Sequence, residues 1–385
     1  MKWQNKMEKI TYGRQTISQE DKDIVVKALY SSAITQGEYV PAFEKALKEY
    51  TGAKYAVAVS SGTAALHIAY AALGLKENDE IITCANTFAA TGNAALYIKA
   101  KVKFADIKPD DFLIDEYKIN PLVTKNTKII VPIHYAGLTC NMEEISKTAE
   151  NYNIKIVEDA CHALGSCYKN SKTGSCKYSN AAVFSFHPVK HITTAEGGAI
   201  LTNDEEVYKT SILLRSHGME KVNFKNVPDS PTYHEMQLLG YNYRMTDIQA
   251  ALGISQLKRA DDFIKRRLDI ADIYYDAFKD NNKITMQKKY SDRLNSHHLF
   301  SVLFETNELR DKVYYYLKEN NIFTQIHYMP VNKHPYYEIL GYDYKETPLA
   351  YDFYRRELSL PVYPLLTNEE VYFVIDKIST ALKVL

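Results

Sequence analysis

The sequence has few cysteines and no long apolar run. Its five cysteines are an odd number and show no C-x-x-C spacing, which argues against a disulfide framework and against a zinc site. No apolar run approaches the roughly 20 residues that a membrane span requires. The N-terminal segment MKWQNKMEKITYG lacks the apolar core of a signal peptide. These absences predict a cytoplasmic protein without a bound metal or a membrane anchor.

An excess of charge of one sign is also lacking, because 47 Lys and Arg residues balance 47 Asp and Glu residues. The chain therefore has no basic field to attract nucleic acid or acidic membranes. Its eleven histidines are scattered and show no H-E-x-x-H pattern. The length of 385 residues predicts two domains, because single hydrophobic cores rarely grow beyond ~250–300 residues.

Short apolar strands alternate with helices in the first half of the chain. The strands are predicted at 55–59, 80–84, 102–105, 129–133 and 154–157, and the helices at 62–73, 89–98 and 142–152. Strands without polar alternation, interleaved with helices, indicate a mainly parallel sheet covered on both faces. A strand at 199–202 is predicted to return beside residues 183–186. The predicted fold class is α/β.

The pattern changes toward the C-terminus. A long helical region from about 246 to 278, broken near residue 261, follows a segment at 219–240 that is predicted to be irregular. Strands at 298–304 and 323–327 and helices at 308–320 and 368–382 then indicate a smaller α+β domain. We therefore predict a large domain at residues 1–260 and a small domain at residues 261–385.

One lysine follows closely after an apolar strand. The stretch from Ala181 to Ala199 reads AAVFSFHPVKHITTAEGGA and presents Lys190 just after Pro188. Burial there would disfavour the charged form of the lysine and lower its pKa. Only a neutral amine can form a Schiff base with a carbonyl group, so Lys190 is a candidate nucleophile. The alternative is a solvated lysine in a surface loop, which is the commoner situation for a single lysine.

Hydroxyl groups stand between a predicted strand and a predicted helix at Ser60-Ser-Gly-Thr63. Free amides at a helix N-terminus, assisted by hydroxyls, form a natural phosphate site because the helix dipole points at the anion. The alternative is a simple helix N-cap, a role that Ser and Thr often have.

Polar and aromatic residues also follow two other predicted strands. Asp159 and His162 come after the strand 154–157, and Phe88 comes after the strand 80–84. A carboxylate at the carboxyl edge of the sheet can pair with a protonated ring nitrogen, and an aromatic ring can stack on a planar ligand. The alternatives are an Asp that caps the next segment, a satisfied polar His and a core Phe.

An arginine stands just before a predicted helix in Gly240-Tyr-Asn-Tyr-Arg-Met-Thr-Asp247. Arg244 can bind a carboxylate or phosphate through two hydrogen bonds. The alternative is a helix entry that Thr246 caps.

Four of these features point to one cofactor. A lysine, a phosphate cradle, a ring-nitrogen carboxylate and a stacking aromatic are together the requirements for pyridoxal 5′-phosphate (PLP).

These residues resemble the motifs of the PLP-dependent aminotransferases of the DegT/DnrJ/EryC1/StrS family, which act on nucleotide-linked ketosugars. The matching segments are ITQGEYVPAFEKAL, VSSGTAAL, NTFAATGNA, VEDACHALGS, SFHPVKHITTAEGG, GYNYRMTDIQAALG and QIHYMPV. The resemblance covers nearly the whole chain. It implies fold type I of the aminotransferases, with a large PLP-binding domain built on a mainly parallel mixed sheet and a smaller C-terminal α+β domain.

The resemblance also implies a role for each matched residue. Lys190 would form the Schiff base and move the proton between substrate and cofactor carbons, and Asp159 would keep the pyridinium nitrogen protonated. The other cofactor-side positions are His162 beside the ring hydroxyl, Phe88 stacked on the ring, and Ser61, Gly62, Thr63 and Ser185 at the phosphate. Asn242 would reach the phosphate from the neighbouring subunit of a homodimer, so the active sites would be shared. Tyr12, Arg244, His327 and Tyr328 correspond to substrate-side positions.

Within the family, SFHPVKHITTAEGG and YKNSKTGSCKYS are most similar to the 4-aminotransferases of the pseudaminic acid pathway. This similarity implies transfer of an amino group from L-glutamate to carbon 4 of a UDP-linked 4-keto-6-deoxy-N-acetylhexosamine. The alternatives are a perosamine- or bacillosamine-type 4-aminotransferase, and a cofactor-binding dimer that acts as a sensor. Relatives that dehydrate sugars carry His in place of the lysine, whereas here His191 follows Lys190 and does not replace it.

Overall fold

The structure is a computed structural model that describes residues 9–220, 224–225 and 234–384. The helices are α1 (Gln19–Leu29), α2 (Tyr39–Thr51), α3 (Gly62–Ala72), α4 (Ala90–Tyr97), α5 (Met142–Tyr152), α6 (Glu205–Arg215), α7 (Asp247–Leu257), α8 (Ala260–Phe278), α9 (Asn307–Glu319), α10 (Pro335–Ile339), α11 (Pro348–Arg356) and α12 (Asn368–Val384). The strands are β1 (Ile10–Thr11), β2 (Tyr55–Val59), β3 (Glu80–Cys84), β4 (Lys101–Ala105), β5 (Thr127–Val131), β6 (Lys155–Asp159), β7 (Cys167–Tyr168), β8 (Ser171–Lys172), β9 (Ala181–Ser185), β10 (Gly198–Thr202), β11 (Met219–Glu220), β12 (Glu235–Met236), β13 (Ile284–Met286), β14 (Arg293–Leu294), β15 (Phe300–Phe304), β16 (Ile322–Phe323) and β17 (Glu357–Leu360).

A seven-stranded mixed sheet forms the centre of the molecule, with the strand order β2-β10-β9-β6-β5-β3-β4. The pairs from β9 to β4 are parallel, whereas β10 is antiparallel to both β2 and β9. All residues of β3 and β10 are buried, as expected for strands that are covered on both faces. The predicted α/β class is confirmed, and the predicted return strand pairs with β9.

Side-chain caps fix the start of two helices near the sheet. The Ser61 hydroxyl accepts a hydrogen bond from the Ala64 N–H at 3.1 Å and so caps α3. Thr246 and Gln249 form a capping box at the start of α7. Helix α3 is rich in Ala and mostly buried, because it packs against β9, β10, α4 and α6. The N-cap interpretations of Ser61 and Thr246 are therefore confirmed.

A smaller antiparallel sheet with the strand order β13-β15-β17 lies in the C-terminal part. Helices α8, α9 and α12 contribute to the hydrophobic core beside it, and the N-terminal Ile10 joins that core. The long helical region is broken between Leu257 and Ala260, close to the predicted break. The division of the chain at residue 260 stays a prediction.

The predicted strand at 323–327 is wrong for most of its length. Only Ile322–Phe323 forms a strand, and it pairs in parallel with Ile10–Thr11. The position beside β15 is taken instead by Glu357–Leu360, which the sequence pattern did not predict. Residues after Phe323 keep one isolated bridge, between Gln325 and Ser359, and then follow an irregular path.

Two further predictions concern segments at the edge of the described ranges. The irregular segment 219–240 contains the two-residue strands β11 and β12, which pair with each other. Its residues 221–223 and 226–233 lie outside the described residues, as do residues 1–8 of the N-terminal segment. No helix within the described ranges is long and apolar enough to cross a membrane.

Candidate active site

A cavity of about 550 Å³ lies at the carboxyl edge of the central sheet. In open α/β sheets this edge is where ligands bind. The predicted site residues that line it are Tyr12, Ser61, Gly62, Thr63, Phe88, Asp159, His162, Ser185, Lys190, His327 and Tyr328. They come from segments that are far apart in the chain. The strand order of the central sheet brings most of them to one edge, whereas Tyr12, His327 and Tyr328 come from segments outside that sheet.

Lys190 is a half-buried residue on the cavity wall, in the turn that follows β9. Burial of its amine lowers its pKa, and the Cys161 thiol and Asp159 carboxylate oppose part of that effect. No carboxylate among the described residues forms an ion pair with it. The amine is thus more readily neutral than that of a solvated lysine, which is the form that attacks a carbonyl.

Asp159, the last residue of β6, is buried and held by two hydrogen bonds. Its Oδ2 accepts from the Thr91 hydroxyl at 2.7 Å, and its Oδ1 accepts from the Cys161 N–H at 3.2 Å. The bond from Cys161 matches the alternative in which Asp159 caps the next segment. Because one carboxylate makes both bonds and lines the cavity, capping and ligand binding are compatible here. The neighbouring Glu158 instead accepts from His134 at 2.8 Å, away from the cavity lining.

The N-terminus of α3 packs very closely against Gly198 of β10 and Ser185 of β9. A Cβ atom added to Gly198 would lie 2.4 Å from the Ser61 carbonyl oxygen and 2.7 Å from the Gly62 nitrogen. A Cβ added to Gly62 would lie 2.9 Å from the Ser185 Cβ. Glycine at both positions therefore lets the start of α3 pack closely against β9 and β10, and Gly62, Thr63 and Ser185 all line the cavity, as a phosphate cradle requires.

Phe88 is 61% exposed, which excludes the alternative that it is a core residue. It lies on the cavity wall just before α4, with its ring 6.0 Å from that of Tyr328. A large apolar ring left exposed at a cavity is available to stack on a planar ligand.

His162 is buried, and burial holds its pKa well below the usual value, with a further contribution from Lys190. Its Nε2 lies 3.1 Å from the Tyr328 hydroxyl, whereas its buried Nδ1 has no hydrogen-bond partner among the described residues. The ring of His298 packs against it at 4.4 Å. His162 is therefore a neutral imidazole, and only one of its two ring nitrogens has a hydrogen-bond partner among the described residues.

Two substrate-side positions approach each other at the cavity. The rings of Tyr12 and His327 are 5.1 Å apart, and His327 is joined to Tyr328 by a cis peptide bond. Tyr12 reaches this place because β1 pairs with β16, which precedes His327. The irregular path after Phe323 delivers both His327 and Tyr328 to the cavity wall.

Asn242 and Arg244 do not line the cavity of the single chain. Asn242 is exposed, and its backbone bridges to Ser216, whereas Arg244 bridges to Val59. The structure therefore brings together the other predicted residues but not these two. Their predicted roles, of which that of Asn242 requires a second subunit, stay predictions.

Several cavity residues were not among the predicted ones, among them Thr91, Glu196, His298 and Gln325. Thr91 had a detectable signal, because it lies three residues after Phe88 in the segment NTFAATGNA and falls in the first turn of α4. Glu196 stood in the quoted lysine motif without an assigned role. His298 had no such signal, since it reaches the site only through tertiary packing.

The residues present fit PLP. The cavity holds a glycine-lined helix N-terminus, a buried carboxylate, an amine of lowered pKa and an exposed ring, together with the unpartnered buried Nδ1 of His162. Among the described residues, no group of His, Cys, Asp or Glu side chains has the arrangement of a metal site.

Comparison with known proteins identifies the class and the family. The model of the DegT/DnrJ/EryC1/StrS aminotransferase family matches residues 15–379. The UDP-4-amino-4,6-dideoxy-N-acetyl-beta-L-altrosamine transaminase of Campylobacter jejuni subsp. jejuni serotype O:23/36 is 40% identical over 380 residues, covering 97% of this chain and 98% of that protein.

Solved structures agree with this sequence similarity. A Helicobacter pylori aminotransferase involved in the biosynthesis of pseudoaminic acid superposes with a TM-score of 0.91 at 35% identity, covering 98% of this chain and 100% of that one. The PLP form of the candidate sugar aminotransferase Spr1654 from Streptococcus pneumoniae gives a TM-score of 0.91 at 30% identity, over 98% and 100% of the two chains. The fold and site thus define a fold type I, PLP-dependent aminotransferase. The chain belongs to the DegT/DnrJ/EryC1/StrS aminotransferase family.

The close approach of Gly198 to α3 leads to a first prediction. We expect Gly198→Ala to weaken PLP binding by at least about fivefold, because overpacking costs about 1–3 kcal/mol and here displaces the backbone of Ser61 and Gly62. Spectroscopic titration with PLP measures the Kd. Gly13→Ala is the control, since its added Cβ would meet Val189 at an ordinary 3.7 Å. An unchanged Kd in Gly198→Ala would contradict the cradle.

The buried histidines lead to a prediction for stability. Burial lowers the pKa of His297 to about 3, below the ordinary value near 6.5. The unfolded chain therefore binds more protons below pH 6.5, so the stabilising contribution of neutral His297 is lost as the pH falls through that window. We expect His297→Phe, which keeps an aromatic ring beside Phe300, to reduce the loss of unfolding free energy between pH 6 and pH 5 by about 1 kcal/mol.

Urea denaturation of both proteins at these two pH values measures the difference. The exposed His187 provides the control, because its replacement by Phe removes a histidine without removing a buried one. Equal pH dependence in the native protein and in His297→Phe would show that His297 is not held neutral by the fold.

Proposed function

We propose that the enzyme transfers the amino group of L-glutamate to carbon 4 of UDP-2-acetamido-2,6-dideoxy-β-L-arabino-hexos-4-ulose, a UDP-linked 4-keto-6-deoxy-N-acetylhexosamine, in pseudaminic acid biosynthesis. The observation that carries the proposal is full-length identity of 40% to a transaminase of that kind, combined with an intact Lys190 in the cavity. The odd set of free cysteines favours the reducing cytoplasm as its compartment.

The surroundings of Asp159 and Lys190 suit them to different roles toward the cofactor. Bound PLP supplies an aldehyde to carry the amino group and a ring that stabilises developing negative charge. Asp159, fixed by Thr91 and the Cys161 N–H, would hold a proton on the ring nitrogen. Lys190, with its lowered pKa, would move a proton between the substrate carbon and the cofactor carbon that are joined to the same nitrogen.

Other residues would orient the cofactor and exclude water. Ser61, Gly62, Thr63 and Ser185 would bind the phosphate through the amides and hydroxyls at the start of α3. Phe88 would cover one face of the ring, and His162 would meet the ring hydroxyl as a neutral imidazole. Tyr12, His327 and Tyr328 would contact the sugar nucleotide or glutamate, with Arg244 as a further substrate-side position.

The proposal includes a homodimer with shared active sites. Asn242 is exposed and does not line the cavity of its own chain, which is the position expected for a residue that serves the partner. Closed twofold symmetry would place both copies of Asn242 in equivalent sites, so each dimer would contain two shared sites.

Substrate preference tests the function directly. We expect purified enzyme with glutamate to aminate the UDP-linked 4-ketosugar at least about tenfold more efficiently than a GDP-linked 4-ketosugar. NMR of the product fixes the stereochemistry of the new amine, and kcat/KM measures the preference. Lys190→Ala is the control and should lose turnover by at least about a thousandfold, because it lacks both the nucleophile and the proton carrier.

A higher kcat/KM with the GDP-linked sugar would favour the perosamine-type alternative. A cofactor absorbance that stays constant after glutamate is added would favour the sensor, which need not complete the first half-reaction. Normal turnover in Lys190→Ala would refute the assignment of the catalytic residue.

Subunit mixing tests the shared site. Lys190→Ala and Asn242→Ala should each be nearly inactive alone, because each damages both sites of its dimer. In a mixed dimer one site combines Lys190 and Asn242 of opposite chains and is intact. After random subunit exchange, about a quarter of the sites should be native, so activity should return to about a quarter of the native value. If the mixture stays inactive although native mass analysis detects mixed dimers, the sites are not shared through Asn242.

A further inference from the structure

A buried chain of hydrogen bonds runs from the side chain of His327 to a glutamate on the small sheet. The Nδ1 atom of His327 lies 2.8 Å from the Ser359 hydroxyl, which in turn lies 2.6 Å from Oε1 of Glu357. The other carboxylate oxygen of Glu357 accepts from the His327 backbone N–H at 2.8 Å. Glu357 is 0% exposed and Ser359 is 1% exposed, so water does not compete for these bonds.

The imidazole has a different nitrogen available for the ligand. Nε2 of His327 makes no hydrogen bond with the described residues, and His327 lines the cavity. Burial lowers the pKa of His327 to about 3, so the imidazole is neutral near pH 7. A neutral imidazole carries one proton, and the bond at Nδ1 decides whether Nε2 is a donor or an acceptor.

The neighbouring hydroxyl groups of Tyr135 and Ser301 donate their protons elsewhere, so the only open question is which acceptor receives the Ser359 proton. The Tyr135 hydroxyl donates its only proton to the His327 carbonyl at 2.7 Å, so it accepts from the Ser301 hydroxyl at 2.7 Å. Ser301 has thereby used its proton, and its 3.4 Å contact with Ser359 is the weakest of the set. The proton of Ser359 is thus shared between two possible acceptors, Glu357 and Nδ1 of His327.

The ionisation of Glu357 selects between them. An ionised Glu357 only accepts, so Ser359 donates to it and must accept from an Nδ1–H, which leaves Nε2 of His327 as an acceptor. A protonated Glu357 donates to Ser359, which then donates to Nδ1, so Nε2 carries the proton and is a donor. The imidazole stays neutral in both arrangements, and only the position of its proton changes.

We propose that Glu357 is a positioning residue that acts through Ser359 to set whether Nε2 of His327 accepts or donates a hydrogen bond in the cavity. The consequence for catalysis rests on the proposed function, in which His327 contacts the substrate. Donor and acceptor nitrogens recognise different partners on a sugar nucleotide or on glutamate, so Glu357 would tune substrate binding with pH.

The surroundings of Glu357 allow both states near neutral pH. Burial raises the pKa of Glu357 to about 7, against the opposing effects of its hydrogen bonds and of the Arg310 charge. Arg310, on α9, donates to the Glu357 backbone carbonyl at 3.1 Å. The other titratable groups that face it are His327, Tyr135 and Tyr328, and the pKa values of both tyrosines are raised well above the usual value, so these groups stay neutral.

NMR of the PLP-loaded, full-length enzyme labelled with [15N]histidine tests the proposal without using a nucleotide sugar. The nitrogen shifts report which ring nitrogen carries the proton, and His327→Gln identifies the signals of His327. We expect the tautomer to change from Nε2–H at low pH to Nδ1–H at high pH, with a midpoint near pH 7. The same native tautomer throughout the range from pH 5.5 to pH 8.5 would overturn the proposal.

We call the hydrogen-bonded chain of Glu357, Ser359 and His327 the relay. Two variants and a control distinguish an effect on the relay from general effects of mutation. Glu357→Gln imitates the protonated acid, since its amide can donate to Ser359 while its carbonyl accepts from the His327 N–H. It should hold Nε2–H at every pH, and Ser359→Ala should abolish the midpoint. Ser301→Ala leaves the three-residue relay in place and should keep a midpoint. A midpoint that persists in Glu357→Gln would assign the change to another group.

Kinetics then connects the relay to substrate binding. If His327 contacts the nucleotide sugar, its KM should change by about tenfold between pH 6 and pH 8 in the native enzyme, the effect expected when one hydrogen bond is mismatched. In Glu357→Gln the change should fall below about twofold. A pH-dependent tautomer with an unaffected KM would refute the substrate contact of His327 and leave the relay intact, so the two failures are distinguishable.

Discussion

The removal of the Lys190 amine from water is the constraint on which the site depends. A lysine at the surface would stay charged, whereas this one lies on the wall of a cavity and its pKa is lowered by burial. The segments that shield the Lys190 amine from water are the start of α3, the ends of β6 and β9, and the irregular segment that contains His327 and Tyr328. The position of Lys190 in the turn after β9 is therefore useful only because the sheet order brings those other segments to the same edge.

The antiparallel strand β10 has a specific part in this arrangement. It lies between β2 and β9, the two strands that lead into the Ser61 cap and the lysine turn. Its first residue, Gly198, touches the backbone at the start of α3 so closely that no side chain fits. Gly197 is also confined, since an added Cβ would lie 2.2 Å from the Thr194 hydroxyl. The Gly-Gly pair in the lysine motif is thus explained by packing, and the predicted phosphate cradle would depend on that packing.

Much of the central sheet could be predicted from the sequence, because strands such as 55–59 and 80–84 are short, mainly apolar and interleaved with helices. The predicted strand at 323–327 is wrong because pairing between distant segments decides which residues form a strand. That segment contains strand formers, yet Glu357–Leu360 is the strand that pairs with β15. Most of the site was predictable because its residues directly follow strands or stand in motifs. His298 was not predictable, since only packing brings it to His162. Thr91, which donates to Asp159, follows Phe88 closely in the chain and was detectable from that position.

Several of the polar groups that line the cavity are neutral, although Lys190, Asp159 and Glu196 also line it. His162, His298 and His327 all have pKa values lowered by burial, and Tyr328 has a pKa raised by burial. A neutral group distinguishes ligands by the direction of its hydrogen bond, and a buried donor that meets a donor loses more free energy than a solvated one. In the proposed function, such groups would separate sugars that differ only in the orientation of a hydroxyl, because each proton sets the direction of one hydrogen bond. Glu357 and Ser359 matter for this reason: they lie outside the cavity lining, but they govern the one proton of His327 that a ligand would meet.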